Sequence, residues 1–237
     1  MRIAVLFDGA GLARFGLEQA GHECHGFELD PWKHYLSTFI GSGNCTLADA
    51  TKVDLSGYDA VWASPPCQLR SQARTQGEPI SEFATDYLQW SLNLPHKVLW
   101  VENVLSRRKK DNNWGIIWNA AQFCYWSRQN RNRVIGGRYV FPKIYHPYKR
   151  RFSNICPCIT ATEYKGCATD KRRASRFYGR KLTLEECAYH QGLNIPPEWY
   201  MVPTNWTRTY TQWKYNLYEA IGNGVPVYMA KNFGIVY

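Results

Sequence analysis

The chain has 237 residues, enough for one sizeable core and a small additional region. Its hydrophobic fraction of 45% is ordinary for a globular protein, and no apolar run approaches the length of a membrane span. The formal net charge of +10 favours acidic partners and excludes a strongly acidic protein.

Two further features of the composition concern the cellular setting. The apolar start, residues 3–7, meets Asp8 too early for a secretory signal. The eight cysteines show no paired framework, which favours a reducing, cytoplasmic environment. The spacing of Cys156, Cys158, Cys167 and Cys187 matches no common zinc finger, so no metal is expected.

The beginning of the chain predicts a strand, a glycine turn and a helix. Residues 2–7 form the strand, residues 8–12 contain two glycines, and a helix-like run over residues 13–20 ends at Gly21. This order opens a nucleotide-binding α/β fold, because glycines let the backbone approach a ligand closely. The third glycine of a dinucleotide fingerprint is not cleanly placed, which argues against NAD. A purely structural turn is an equally good interpretation.

A second strand over residues 23–29 carries an acid near its end. Glu28 can accept hydrogen bonds from both hydroxyls of a ribose, and Trp32 can stack on a purine. The alternatives are a packed tryptophan and a helix cap. For Asp30, which stands directly before Pro31, the cap is the preferred interpretation.

Polar groups also follow the next two strands. Residues 44–50 form a third strand or its end, where Asp49 can accept from an adenine amino group or act as a turn aspartate. Residues 59–63 form a fourth, buried strand that two prolines stop directly before Cys67. A thiol on a stiff loop at this edge of a sheet suits a nucleophile, although most free cysteines are small hydrophobic residues.

The middle of the chain adds an acid and two arginines. A helix over residues 81–92 precedes a buried strand over residues 98–101, and Glu102 follows that strand. Partial desolvation lets such an acid keep its proton near neutral pH, so it is a candidate general acid; a capping carboxylate is the alternative. A helix is predicted over residues 114–124. Along the next strand, alternation places Gln129, Arg131 and Arg133 on one face, where two arginines can clamp an anion or a base carbonyl.

The remainder of the chain is basic and then helical. Residues 139–180 hold ten basic and two acidic residues, with eight aromatic residues among them. This pattern favours a nucleic-acid partner over a merely solvated surface. Thr183 and Glu186 form a capping box for a helix that ends near Gly192, and residues 220–227 form a tight turn leading into a final helix.

Eight of these stretches together resemble the cytosine-C5 methyltransferase family, in family order along nearly the whole chain. They are Phe7-Asp8-Gly9-Ala10-Gly11, Glu28 with Trp32, Asp49, Pro65-Pro66-Cys67-Gln68, Glu102-Asn103-Val104, Gln129-x-Arg131-x-Arg133, Arg180-x-Leu-Thr-x-Glu-Glu-Cys187-Ala and Gly222-Asn223-Gly224-Val225-Pro226. The resemblance implies an α/β, class I S-adenosylmethionine-dependent methyltransferase fold, Rossmann-like, with a mostly parallel sheet flanked by helices. It also implies a catalytic domain of residues 1–138 and 180–237, with a small basic target recognition region at residues 139–179.

The family's chemistry implies a role for each group. A DNA cytosine-C5 methyltransferase moves a methyl group from S-adenosylmethionine to carbon 5 of a flipped cytosine and leaves S-adenosylhomocysteine. Thiolate addition at carbon 6 makes carbon 5 nucleophilic, and protonation of N3 stabilises the resulting charge. The resemblance assigns the addition to Cys67 and the protonation to Glu102. Arg131 and Arg133 are expected to hold the base carbonyl and to keep Cys67 as a thiolate.

The resemblance also implies two binding sites. The expected cofactor site comprises Phe7, Asp8, Gly9, Gly11, Leu12, Glu28, Leu29, Trp32, Asp49, Ala50, Pro66, Asn223 and Val225. The expected contacts with double-stranded DNA are Gln68, Arg70, Ser71, Arg74, Lys149, Arg150, Arg151, Lys171, Arg172, Arg173 and Arg176. We expect a monomer in the cytoplasm of a bacterial or phage-infected cell, and a restriction endonuclease counterpart is an open possibility.

Three departures from the family pattern qualify the resemblance. Leu69-Arg70 replaces the usual Gly-Phe after Cys-Gln, Leu12 stands where a further glycine is common, and Asp8 stands where a small residue is common. The recognition region is also short, which predicts a short target sequence. The alternatives are a tRNA cytosine methyltransferase and a catalytically inactive DNA-binding relative.

Overall fold

The structure is a computed structural model that describes most of the chain. The described residues are 1–67, 82–106, 112–124, 129–147, 149, 155–160, 178–204, 206–207 and 209–235. Within them, seven strands form one sheet in the order β3-β2-β1-β4-β5-β7-β6. The strands are β1 Arg2–Leu6, β2 Glu23–Glu28, β3 Cys45–Leu47, β4 Ala60–Ala63, β5 Val98–Val104, β6 Ile116–Asn119 and β7 Asn132–Arg138.

Helices cover both faces of this sheet. The helices are α1 Leu12–Glu18, α2 Pro31–Ser37, α3 Glu82–Leu92, α4 Leu184–Gln191, α5 Tyr210–Asn223 and α6 Val227–Gly234. Alternate residues of β1 enter different cores: Ile3 and Val5 pack with α1 and α6, whereas Ala4 and Leu6 pack in the cluster that includes Leu88 of α3. Two-sided burial explains why β1 and β4 are continuous apolar runs. None of the described helices is long and apolar enough to cross a membrane.

The five strands from β3 to β5 are parallel to one another. The predicted mostly parallel α/β sheet is therefore confirmed, with β4 beside β1 so that the chain reverses direction of winding between them. At such a switch point, the loops that leave the carboxyl ends of the two strands diverge and open a crevice.

The far edge of the sheet is antiparallel and corrects one prediction. The helix predicted over residues 114–124 is instead strand β6, followed by a 3₁₀ turn over Ala120–Phe123. β7 runs antiparallel to both β5 and β6. Ile116, Ile117 and Trp118 are β-branched or aromatic and find a partner strand, which outweighs the helical spacing. Asn119 then caps the turn by accepting from Ala121 N.

Pairing at the same edge makes β5 longer than the sequence predicted. The sequence predicted that the strand stops before Glu102, but β5 continues to Val104 because β7 provides a partner as far as Arg133. Glu102 lies opposite Ile135, so its carboxylate is held by a strand rather than by a loop.

The predicted caps are confirmed. Asp30 accepts a hydrogen bond from Trp32 N at the start of α2, and Thr183 forms the capping box with Glu186 at the start of α4. The α4 helix ends at Gly192 in the left-handed conformation. The 14-residue α5 had no counterpart in the sequence prediction, and it contains residues 220–223, the first half of the turn predicted over residues 220–227.

Candidate active site

A cleft of about 630 Å³ opens at the carboxyl ends of the parallel strands. Its volume lies within the range of small-molecule sites, roughly 300–1,000 Å³. Loops that follow β1, β2, β3 and β4 form much of its wall, and residues near the end of α5 close another side. Of the predicted cofactor residues, those that line it are Phe7, Asp8, Gly9, Leu12, Glu28, Leu29, Asp49, Ala50, Pro66, Asn223 and Val225.

The glycine loop after β1 adopts an unusual backbone. Phe7 has φ 57°, and Gly9 and Gly11 have φ 61° and 84°. A non-glycine residue in the left-handed region is strained, and it persists where its surroundings fix it. The Phe7 ring packs edge-on against Tyr87 and Trp90 of α3, at centroid distances of 5.7 and 6.3 Å.

Asp8 anchors this loop to the interior of the protein. Its carboxylate is buried, and Oδ2 accepts from Arg14 Nε at 3.1 Å and from Ser37 Oγ at 2.6 Å. Gly26 on β2 leaves room for it, because a Cβ there would lie 2.4 Å from Asp8 Oδ2. Burial lowers the pKa of Arg14, but Asp8 and Glu18 together outweigh burial and raise it. Asp8, the acid that departs from the family pattern, is thus paired with the Arg14 guanidinium inside the protein.

Glu28 and Asp49 line the cleft with carboxylates already bound to backbone amides. Glu28 accepts from Gly9 N at 2.7 Å and from Asp30 N at 2.9 Å. Burial raises the pKa of Glu28 despite these bonds. Asp49 has the geometry of a turn aspartate: the hydroxyl and amide of Thr51 both donate to it and lower its pKa.

The other end of the cleft brings together Cys67, Glu102 and Arg133. Arg133 Nε lies 2.7 Å from Glu102 Oε1, with the two side chains 9% and 8% exposed. The arginine leaves β7 and the glutamate leaves β5, so strand pairing sets their separation. A thiol, a carboxyl group and a guanidinium group therefore line one cavity.

Cys67 differs from expectation in its ionisation. Burial raises the pKa of this thiol, and Arg133 offsets only part of that effect while Glu102 adds to it. Burial thus opposes the expected thiolate, and the nearby arginine, already paired with a carboxylate, only partly compensates.

Asn103 is a residue of this site that the sequence reasoning missed. It is buried next to Glu102 on β5, and its Nδ2 donates to Pro65 O at 3.1 Å. It thereby ties the loop of Cys67 to the strand of Glu102. The amide of Val104 donates to Asn103 Oδ1 at 2.8 Å, which orients the side chain. Its sequence signal was its place in the stretch Glu102-Asn103-Val104, in which no role had been assigned to it.

Three predicted site residues lie outside the cleft wall. Arg131 is fully buried and hydrogen-bonds to main-chain carbonyls rather than facing the cavity, because residues 159 and 222–224 pack around its guanidinium. Trp32 packs edge-on against Trp213 at 6.3 Å. At Gly11, a Cβ would collide with Arg14 and Ser37, so this glycine serves the packing beneath the loop.

The predicted DNA contacts fall almost entirely beyond the described residues. Lys149 is described: it is exposed, and its carbonyl accepts from Asn119 Nδ2 at 3.2 Å. Outside the described residues lie Gln68, Arg70, Ser71, Arg74, Arg150, Arg151, Lys171, Arg172, Arg173 and Arg176. The described part of the chain contains no cluster of His, Cys, Asp and Glu that can hold a metal ion.

The sheet order and the cleft at its switch point define a class I S-adenosylmethionine-dependent methyltransferase fold. The family model of the C-5 cytosine-specific DNA methylases matches residues 1–119 and 78–235, and the chain belongs to that family. The predicted family is therefore confirmed. No curated protein matches the chain significantly.

Three solved structures show the same fold at low sequence identity. The S. pombe Dnmt2 methyltransferase has a TM-score of 0.61 and 15% identity, covering 99% of this chain and 98% of that one. The Entamoeba histolytica methyltransferase EhMeth has a TM-score of 0.61 and 12% identity, over 98% and 96% of the two chains. A prophage-encoded E. coli protein, provisionally assigned as a DNA modification methyltransferase, has a TM-score of 0.60 and 13% identity, over 99% and 97%.

Proposed function

We propose that this cytosine-C5 methyltransferase acts on double-stranded DNA, with Cys67 as nucleophile and Glu102 as general acid. The observation that carries the proposal is the meeting of Cys67, Glu102 and Arg133 in the cleft that the cofactor residues line. These are the groups that addition to a cytosine ring requires.

The residues at the other end of the cleft fit S-adenosylmethionine. Glu28 accepts two backbone hydrogen bonds, and a carboxylate has lone pairs left for ribose hydroxyls. Gly9 faces open space, with no atom of the described residues within 4 Å of where a Cβ would stand, so a ligand can approach its backbone. Asp49 is placed at the same wall as an acceptor for an amino group. S-adenosylmethionine supplies the methyl group when it is bound.

The reaction begins with a protonated thiol, because burial raises the pKa of Cys67. As the sulfur bonds to carbon 6 of cytosine, the π electrons of the ring move towards N3 and carbon 5, and the thiol proton passes to the Glu102 carboxylate. Glu102 delivers a proton to N3, and Arg133 holds the carboxyl group in place through its Nε. After carbon 5 has been methylated, a base from the solvent takes the proton on carbon 5. The electrons of that C–H bond form the double bond between carbons 5 and 6, sulfur leaves as a thiolate, and the proton on N3 returns to Glu102.

We assign target recognition to residues 139–179 and DNA as the polymer. The segment is strongly basic and rich in aromatic residues, which suits phosphates and an unstacked base. Its short length supports a short recognition sequence. The catalytic domain comprises residues 1–138 and 180–237, and DNA binds across the mouth of the cleft where Cys67 lies.

Transfer of a labelled methyl group tests the polymer. The full chain is incubated with radiolabelled S-adenosylmethionine and, separately, with duplex DNA and with tRNA. We expect label in duplex DNA at carbon 5 of cytosine. Label in tRNA alone would assign the chain to RNA, and label in neither would favour an inactive relative.

A trapping experiment tests the nucleophile. With duplex DNA that contains 5-fluorocytosine, the wild-type chain is expected to form a covalent complex, because carbon 5 then has no proton to lose. Cys67→Ala is expected to form none and to lose methyl transfer, yet to bind DNA. Cys45→Ala is the control, since Cys45 lies on β3 and does not line the cleft. An active Cys67→Ala enzyme would end the proposal of covalent catalysis.

A further inference from the structure

Arg131 has an environment that its neighbour Arg133 does not share. Its side chain is fully buried, and its partners among the described residues are carbonyl groups and a thiol. Nη1 donates to Ile159 O at 2.5 Å and to Cys158 Sγ at 3.2 Å. Nη2 donates to Gly222 O at 2.8 Å and to Gly224 O at 3.0 Å. One guanidinium thus joins two separate segments.

These two segments belong to different parts of the proposed enzyme. Ile159 lies in residues 155–160, a described part of the recognition region that stands between its two groups of basic residues. Gly224 belongs to the cofactor turn, residues 222–225, which contributes Asn223 and Val225 to the cleft wall. Arg131 therefore stands between the expected site of the nucleic acid and the expected site of the cofactor.

Two glutamines add hydrogen bonds between the same two segments. Gln129 accepts from Ile159 N at 3.1 Å and donates to Gln191 Oε1 at 2.9 Å. Gln191 in turn donates to Ile221 O at 2.5 Å and to Gly224 O at 3.2 Å. Both glutamines are buried, so displacement of either segment would leave polar groups without partners.

The choice of arginine at this position has a physical reason. Burying a charge whose described partners include no carboxylate is costly, and a neutral side chain would avoid that cost. A planar guanidinium, however, presents several donors in a rigid fork and can serve both segments at once. Lysine carries its charge at a single point and cannot reproduce the fork.

We propose that Arg131 is a positioning residue that couples nucleic-acid binding to cofactor binding, by holding residues 155–160 against the cofactor turn. The inference rests on the proposed function, which assigns these segments to the two ligands. If one segment moves on binding its ligand, the shared hydrogen bonds move the other. Such coupling is reciprocal, so each ligand raises affinity for the other by the same factor.

The test measures S-adenosylhomocysteine binding by calorimetry, with and without a saturating cytosine-containing DNA duplex. For the wild type we expect DNA to tighten binding by at least about fivefold. In Arg131→Met and Arg131→Lys, the factor by which DNA tightens S-adenosylhomocysteine binding is expected to fall to about one. The control is Arg138→Met: Arg138 lies at the far end of β7 and donates to the carbonyls of Leu94 and His96, away from both segments. It is expected to keep the wild-type factor.

Hydrogen exchange of the wild type provides a second measurement that needs no variant to fold. Addition of S-adenosylhomocysteine alone is expected to slow amide exchange in residues 155–160, and addition of duplex DNA alone in the cofactor turn. The inference is overturned if the wild type binds both ligands without coupling, or if the Arg131 variants keep the factor of Arg138→Met. Absence of binding to either ligand by the wild type would instead remove the proposed function.

Discussion

The two ends of the cleft are organised by different forces. At the proposed cofactor end, after β1, β2 and β3, carboxylates accept hydrogen bonds from backbone amides, as Glu28 does from Gly9. At the proposed reaction end, an ion pair between side chains spans the antiparallel strands β5 and β7. Changes at the first end are therefore expected to alter ligand affinity, and changes at the second end to alter turnover.

Substitution of Glu102 by Gln is expected to have the largest effect. The amide keeps the shape of the side chain and an acceptor for Arg133, but it cannot give a proton to N3. We expect kcat to fall by about 10²- to 10⁴-fold, with the Kd of S-adenosylhomocysteine within about twofold of wild type. Steady-state kinetics and calorimetry measure the two quantities.

Glu186→Gln is the matched control for this change. Glu186 also pairs with an arginine, Arg180, but on an exposed part of α4, where the pairing lowers its pKa to about 2. The control is expected to leave kcat unchanged. If Glu102→Gln weakened cofactor binding as much as it slowed turnover, the two ends of the cleft would not control affinity and turnover separately.

The ionisation of Cys67 gives a pH-dependent prediction at the reaction end. Because burial raises its pKa and Arg133 lowers it, alkylation by iodoacetamide should increase with pH through a midpoint above that of a free thiol. In Arg133→Gln the midpoint is expected to move higher. At a fixed pH below the midpoint, alkylation then slows by about tenfold for each pH unit that the midpoint rises. Mass spectrometry of the Cys67 peptide measures the rate, and a lower midpoint in the variant would contradict the role of Arg133.

At the cofactor end, Gly26→Ala is expected to act through Asp8. A Cβ at Gly26 would lie 2.4 Å from Asp8 Oδ2, so the carboxylate and the glycine loop above it must move. We expect about 1–3 kcal/mol of lost stability and weaker cofactor binding, with kcat retained at saturating cofactor.

Gly57→Ala is the control for the glycine substitution, because the nearest side-chain atom, Arg2 Nη1, is 3.7 Å from a Cβ placed there. Chemical denaturation and calorimetry compare the two variants. If the two variants bound the cofactor with equal affinity, the fit of Asp8 against Gly26 would not be needed for ligand binding.

The smallest effect is expected for Asp49→Asn. The carboxylate is partly exposed, and its pKa is lowered by hydrogen bonds from Thr51, so it stays ionised at neutral pH. An asparagine keeps one acceptor oxygen, and the cofactor Kd is expected to rise by less than about threefold. A loss above tenfold would make Asp49 a principal contact rather than a peripheral one.

The sequence predicts the parallel half of the sheet well, for a clear physical reason. Strands such as β1 and β4 are buried on both faces and therefore stand out as short apolar runs between breakers. The carboxyl ends of such strands meet at one edge, which brings Cys67 and Glu102 together without knowledge of the register. Capping chemistry is equally local, which is why Asp30 and Thr183 were assigned correctly.

Contacts between distant segments could not be predicted in the same way. Alternation places Arg131 and Arg133 on one face, but only the position of the cofactor turn decides that Arg131 hydrogen-bonds there. Likewise Trp32 meets Trp213, which lies in a helix without a sequence prediction. The strand β6 was mistaken for a helix because a short run of isoleucine and tryptophan fits both periods. The room that Gly26 leaves for Asp8 depends on the register between β1 and β2.

The hydrogen bonds from Arg131 to Gly222 and Gly224 span 91 and 93 positions of the chain. During synthesis, Cys67, Glu102 and the glycine loop all leave the ribosome long before the residues that close the remaining wall. A nascent polypeptide that ends before Gly222 thus lacks part of the cavity, and we expect fragments released by premature termination to be inactive.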